Sequence, residues 1–212
     1  PVFAVSILIA VAAGVQLEGR DGLRRCTGFV LDSPLQPCST GIAMKVFNTV
    51  APRVRDYFES LEQSGRPVPG LAGVEKKMGY AVLNRLIAAS VPFTRRNGFS
   101  VVELRSGYLR ARLTRKGNRN HLGTVYAGAQ YLLAEIPFGA LSLVEFGGRF
   151  VPILRDMHIF YDQPARTDLE VELVLDDERR ARIEADVAEH GRAELILELH
   201  LTDARGEVVA RA

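Results

Sequence analysis

Apolar positions along this chain follow two different periods, and the change between them divides it. Over Ala43 to Leu61 they fall at helical spacing, on Met44, Phe47, Val50 or Ala51, Val54, Phe58 and Leu61, which predicts a helix kinked or divided at Pro52. Ser64 to Gly70 is rich in Gly and Pro and reads as a linker. A second amphipathic helix is expected from about Val74 to Ala89, with Met78, Val82, Leu86 and Ala89 on one stripe. Pro92 should stop it. From Phe99 the period drops to two. Val101, Glu103 and Arg105 alternate with Val102 and Leu104, and after a turn at Ser106-Gly107, Leu109, Ala111 and Leu113 alternate with Tyr108, Arg110 and Arg112. That is the pattern of a β-hairpin.

Asn118 to Gly123 is a polar loop, and Thr124 suits the N-cap of a following helix. That helix, about Val125 to Val144, is apolar almost all round and must be buried on most sides. Glu135 in its middle, with Pro137 beside it, argues against a membrane span. Four strand-like stretches follow: Phe150 to Tyr161, Leu169 to Leu175, Ala181 to Glu189 and Ala193 to Leu201. In Ala181 to Glu189, Ile183, Ala185 and Val187 alternate with charged residues, as in an antiparallel strand with one wetted face. An α+β fold, with a curved antiparallel sheet wrapped round one long helix, is the economical solution. The chain then divides into residues 1–41, an extension of open order; 42–95, a helical segment; and 96–212, the sheet-and-helix domain.

Phe3 to Val11 is apolar apart from Ser6 and is followed by the small residues Ala12-Ala13-Gly14. No basic stretch precedes it and it is too short to cross a bilayer. A loose extension, a buried strand or helix, a stretch foreign to the natural product and a secretory signal all stay open. Composition adds limits. The 212 residues carry a formal net charge of +2 with basic residues scattered along the chain, so nothing selects nucleic acid as partner. Cys26 and Cys38 make neither a disulfide framework nor a CxxC spacing, and a cytoplasmic location is the default. His121, His158, His190 and His200 are dispersed, which argues against a metal site. Serine chemistry finds no G-x-S-x-G elbow. Phe146-Gly147-Gly148-Arg149 reads as a helix stop rather than a phosphate loop.

The candidate chemistry gathers at one place. Asn120-His121-Leu122-Gly123-Thr124 leads into Tyr126-Ala127-Gly128, six residues beyond Asn120, and Glu135 lies nine residues beyond Tyr126. This resembles the active-site segment of hot-dog-fold acyl-CoA thioesterases, most closely the phenylacetate-pathway type and a poorly characterised branch beside it. In that pattern Tyr126 replaces a His, Ala127 replaces a Gly, and Glu135 stands for an acid that is more often Asp. The resemblance implies a hot-dog fold, an acyl-CoA or similar thioester as substrate, and no cofactor beyond the CoA of that substrate. It also implies a homodimer, or a dimer of dimers, with shared sites. The candidate catalytic residues are Glu135, Asn120, Ala127, Gly128 and Thr124.

Each role has a physical basis. A helix N-terminus offers unpaired N–H groups to a developing oxyanion, and Ala127 and Gly128 lie in that first turn. A carboxylate in an apolar helix should have a raised pKa, as a general base needs. Asn120 is placed to orient a water or the substrate carbonyl, and Thr124 to assist or to cap. Glu135 as a structural acid, Asn120 as a loop brace and Tyr126 as packing are the plainer readings. Arg149, Arg155 and Arg166 are further candidates for contact with a CoA nucleotide, or solvated charges. The alternative function is a non-catalytic acyl-CoA-binding or regulatory module; a hydratase is a weaker reading, because the sequence has no Asp–His pair at the helix–loop spacing such enzymes use.

Overall fold

A computed structural model describes residues 4–11, 16–19, 22–25 and 72–212. The expected helix over Ala43 to Leu61 lies outside them. Strands and helices are numbered in chain order among the described residues. Ala4–Val11 is β1, Gln16–Gly19 and Gly22–Arg25 form the hairpin β2–β3, and Ala72–Ser90 and Pro92–Arg96 are α1 and α2. Phe99–Arg105 (β4) and Tyr108–Leu113 (β5) precede the long helix α3, Ala127–Phe146. Phe150–His158 (β6), Phe160–Tyr161 (β7) and Leu169–Val174 (β8) come next. Helix α4, Asp177–His190, is followed by Arg192–Leu197 (β9), His200–Asp203 (β10) and Val208–Arg211 (β11).

The strands pair antiparallel in the order β4-β5-β8-β10-β11-β7, with a second run β6-β1-β9. Only Ile159 separates β6 from β7, and two residues separate β9 from β10. The two runs are therefore continuous lanes of one curved surface. Between the β9–β10 lane and the β6–β7 lane, β11 fills one half and β1 the other. Ala212 exchanges two hydrogen bonds with Leu199 (2.8 and 2.9 Å), and Val5 then stands opposite Leu197. Residues 4–11 thus form a strand, with Val5, Ile7 and Ile9 turned into the core and Ser6 and Leu8 half exposed.

The sheet wraps α3. Leu109, Ala111, Leu113, Leu169, Val171, Leu173 and Leu201 present one buried face to Leu133, Phe138, Leu141 and Phe146 of the helix. This is the hot-dog arrangement, an α+β fold with its long helix held by an antiparallel sheet. α3 is long and apolar enough to cross a membrane, but 67% of its qualifying apolar stretch is buried inside the fold, as a core helix is. The β4–β5 hairpin turns at Gly107, whose φ of +68° leaves a side chain there strained. A bulge at Val102 shifts the register, so Phe99, Val101 and Leu104 all point inward despite their uneven spacing.

Three expectations are corrected. Ala181 to Glu189 is helix, not strand. Asp176 caps it by accepting the Arg179 amide at 2.7 Å, Asp177 and Glu178 lie in the first turn, and Gly191 closes it in the left-handed conformation. Ile183 and Val187, four residues apart, are its buried residues. The same two positions satisfied the period of two, and the Ala-, Arg- and Glu-rich run decided for helix. On α1 the face packed on the core is Tyr80, Leu83, Leu86 and Ile87, so of the expected stripe Leu86 faces inward while Ala89 is exposed and Met78 and Val82 are 63% and 54% exposed. Polar docking sets that face: the Leu104 amide donates to Tyr80 Oη (2.9 Å), and Asn84 exchanges two hydrogen bonds with the Val101 backbone (2.7 and 3.0 Å). Finally, α3 begins at Ala127 with Tyr126 as its N-cap, so Thr124 is not the cap.

Candidate active site

The loop before α3 is held by its own side chains. Asn120 Oδ1 accepts the amides of Leu122 (3.0 Å) and Thr124 (3.1 Å), and its Nδ2 donates to Thr124 Oγ1 (2.8 Å). The Asn120 amide donates to the Thr124 carbonyl, and the Gly123 amide donates to the Asn120 carbonyl. Gly123 has φ +75°, a backbone that favours glycine in this tight loop. Arg115 clasps the loop from outside, donating from Nε and Nη2 to the Gly123 carbonyl at 3.2 and 2.7 Å. The Tyr126 amide donates to Asn118, and Val125 to Ala165, at 2.7 and 2.8 Å. Asn120 and Thr124 therefore brace each other, and Asn120 retains one Nδ2 hydrogen for a further acceptor.

The bracing aims the first turn of α3. The amides of Ala129 and Gln130 both donate to the Tyr126 carbonyl. Those of Ala127 and Gly128 find no acceptor among the described residues. Two neighbouring N–H groups at the positive end of the helix are thus left open to a ligand. Ala127 takes an ordinary helical φ, since no non-glycine described residue has φ above zero, so its methyl group is no obstacle to using its N–H. At Gly128 a Cβ would meet the Tyr126 ring at 2.7 Å. The ring lies directly on this turn.

Glu135 stands two turns further along, half-buried, and has no hydrogen-bond or ionic partner among the described residues. Desolvation pushes its pKa above the ordinary carboxylate range. Two further tyrosines lie along this helix, Tyr131 beside Glu135 and Tyr161 against the first turn. Tyr131 is one helical turn before Glu135, and burial, followed by the Glu135 charge, raises its pKa. Tyr161 donates its hydroxyl to the Ala127 carbonyl (3.2 Å), and its pKa is raised by burial and by Tyr131 and Tyr126. Gln130, 4% exposed, donates to the Val125 carbonyl while its Oε1 has no partner. A signal for Tyr131 existed, since it is spaced four residues from Glu135 on one face; Tyr161 arrives from the sheet and had none.

The other candidates are placed elsewhere. His121 is exposed beside the loop. Arg149 pairs with Glu184 (2.7 Å) and Arg155 with Glu194 (2.9 Å), so both are engaged in ion pairs. Arg166 has no such partner among the described residues. Groups of three or more His, Cys, Asp or Glu able to hold a metal ion are absent among the described residues.

A domain of unknown function, DUF4442, matches residues 79–212. Among solved structures, a Pseudomonas aeruginosa protein of unknown function, a probable thioesterase, is 43% identical over 62% of this chain and 89% of its own, with a TM-score of 0.59. A candidate thioesterase from Shewanella oneidensis shares 19% identity over 62% and 91%, with a TM-score of 0.51. A protein of unknown function from Chlorobaculum tepidum shares 13% over 62% and 88%, at 0.53. No curated protein matches.

Proposed function

Because this chain belongs to the DUF4442 family within the hot-dog thioesterase superfamily, we propose that it hydrolyses an acyl thioester, carried on CoA, as a cytoplasmic homodimer. The observation that carries the reading is the pairing of two open amides, Ala127 and Gly128, with an unpaired carboxylate of raised pKa, Glu135, on one helix. Glu135 takes a proton from a water as that water attacks the thioester carbonyl carbon. The oxyanion that forms is held by the two amides. As the C–S bond breaks, the thiolate leaves with the proton that Glu135 held. No cofactor enters beyond the CoA of the substrate.

One helix does not bring both groups to one carbon. The eight residues from Ala127 to Glu135 span about 12 Å at about 1.5 Å per residue. Two antiparallel copies of α3 would set the amides of one chain against the partner's acid. Leu122, Tyr126 and Tyr161, at 69%, 60% and 45% exposure, leave an apolar surface uncovered at the end of α3 where a second copy would sit. Strand β6 also pairs on one side only among the described strands.

Thiol release from a panel of acyl-CoAs, with Glu135→Ala as control, tests the activity, and sedimentation at micromolar concentration tests the dimer. A strictly monomeric, active enzyme would sink the shared site. Tight acyl-CoA binding with no hydrolysis by the unaltered protein would favour the non-catalytic module, a reading that Tyr126 in the His position of the motif keeps open.

A further inference from the structure

Beside the braced loop lies an open cleft of about 550 Å³ whose lining is strongly cationic. Arg112, Arg115, Lys116, Arg119 and Arg166 face a single carboxylate, Asp168. Two of the five are committed. Arg112 pairs with Asp168 at 2.6 Å, and Arg115 is bound to the Gly123 carbonyl. Asp168 is used up as well, accepting the Arg115 amide at 2.8 Å, and these contacts hold its carboxyl below the usual range. Lys116, Arg119 and Arg166 are exposed and have no carboxylate partner among the described residues. Elsewhere on the sheet, Arg110, Arg205 and Arg211 each meet an acid. A cluster of three free cations beside two committed ones repels itself and gains most from an anionic ligand.

We infer that this cleft binds the phosphates of the nucleotide end of the thioester's carrier, an adenosine phosphate of the kind that CoA bears. Its size suits a nucleotide rather than a single small anion. Its openness suits a ligand that stays partly solvated, as multiply charged phosphates do. The position is the second argument. Arg119 adjoins Asn120, Arg115 grips the carbonyl of Gly123, and Arg166 follows Ala165, whose carbonyl receives the Val125 amide. Three of the cleft's five cations thus touch, or adjoin in sequence, the loop that aims the open amides of α3 or the carbonyl that anchors its end. A carrier gripped here has its thioester arm starting next to that loop. The inference rests on the thioesterase reading for its choice of carrier, and on the cleft alone for its choice of phosphate.

Calorimetric titration of the full chain with adenosine 3′,5′-bisphosphate tests the site without any hydrolysis. Saturable binding is expected, weakening as salt is raised from about 50 to about 300 mM. The triple variant Lys116→Ala/Arg119→Ala/Arg166→Ala should bind about tenfold more weakly, three partly exposed charge contacts being lost. The pair Arg119→Lys/Arg166→Lys should retain most of the affinity, which separates lost charge from lost structure. In turnover, the triple variant should lower the ratio of kcat/KM for an acyl-CoA to that for the matching acyl-pantetheine, also about tenfold. Bisphosphate binding that the triple variant leaves intact overturns the site. Inorganic phosphate binding as tightly as the nucleotide overturns the carrier assignment. An inactive protein that still binds the bisphosphate through these residues supports the cleft while the hydrolase reading falls.

Discussion

Replacing Asn120 by alanine removes three hydrogen bonds from one short loop, and the structure sets their relative worth. The bond to the Leu122 amide is the cheapest, because Leu122 is 69% exposed and water can take over its N–H. The other two end on Thr124, which is 8% exposed. Its amide and hydroxyl would lose their partner where water has little access, at about 1 kcal/mol each or somewhat more. The total is about 2–3 kcal/mol. For a chain of this size that corresponds to about 4–12 °C in Tm. Asn120→Asp keeps both amide acceptors and lets the Thr124 hydroxyl donate instead, so it should cost about 1 kcal/mol or less. Thermal melts of both variants, with hydrogen exchange at the Leu122 and Thr124 amides, measure the effect directly. A Tm for Asn120→Ala within about 2 °C of the unaltered protein would refute the bracing argument. Activity then separates the two roles of Asn120. If Asn120→Asp restores the fold yet stays inactive, the spare Nδ2 hydrogen acts on substrate rather than on the loop.

Three further outcomes follow from other contacts. Glu135→Gln should lower kcat by about 100-fold or more, and in the unaltered enzyme the acid limb of kcat/KM should lie above the ordinary carboxylate range, because desolvation raises this pKa. The stability sign is opposite: a raised folded pKa means that the folded state loses stability as pH rises through it, so Glu135→Gln should melt higher than the unaltered protein at about pH 7.5 and equally at about pH 3.5. Glu145, whose side chain is 2% exposed, accepts the Gly107 amide at 2.6 Å and meets Arg180 at 3.5 Å; Glu145→Ala should cost about 3 kcal/mol in urea melts, and Glu145→Gln clearly less. Asp176→Ala removes the α4 cap and should cost about 1 kcal/mol, with far-UV circular dichroism showing a frayed helix.

Much of this was readable before any coordinates. The period of two in β5, with Leu109, Ala111 and Leu113 buried, and the all-round apolar character of α3 fix the helix-in-sheet arrangement. What escaped was whatever two periods share or one side chain decides. Ile183 and Val187 fit both a strand and a helix, and only the Asp176 cap and the composition between them break the tie. The face of α1 was chosen by Tyr80 and Asn84, polar residues that a count of apolar positions passes over. Local placement was legible, Asn120 in the loop before α3, Ala127 and Gly128 in its first turn and Glu135 two turns on, whereas Tyr161, brought to Ala127 across the sheet, was not. Cations scattered in sequence told nothing of a cleft that gathers Arg112, Lys116, Arg119 and Arg166 from two segments.

One substitution that separates this chain from the motif it resembles bears on a glycine that the motif shares. Tyr126 stands where that motif has His, and its ring lies against the first turn of α3 so closely that a Cβ on Gly128 would meet it at 2.7 Å. A side chain at 128 would make that ring shift, whereas at 127 the methyl group is exposed and φ is ordinary. The two amides stay open as first-turn N–H groups do, and the added ring lies against the turn that would hold the oxyanion. A planar aromatic wall in place of an imidazole removes one group that titrates near neutral pH. It leaves Glu135 as the carboxylate of raised pKa on α3 among the described residues, beside Tyr131, whose hydroxyl is also shifted up. A hydrolase built this way should show one ionisation governing its acid limb, and substitution of Tyr126 by Phe should leave that limb in place.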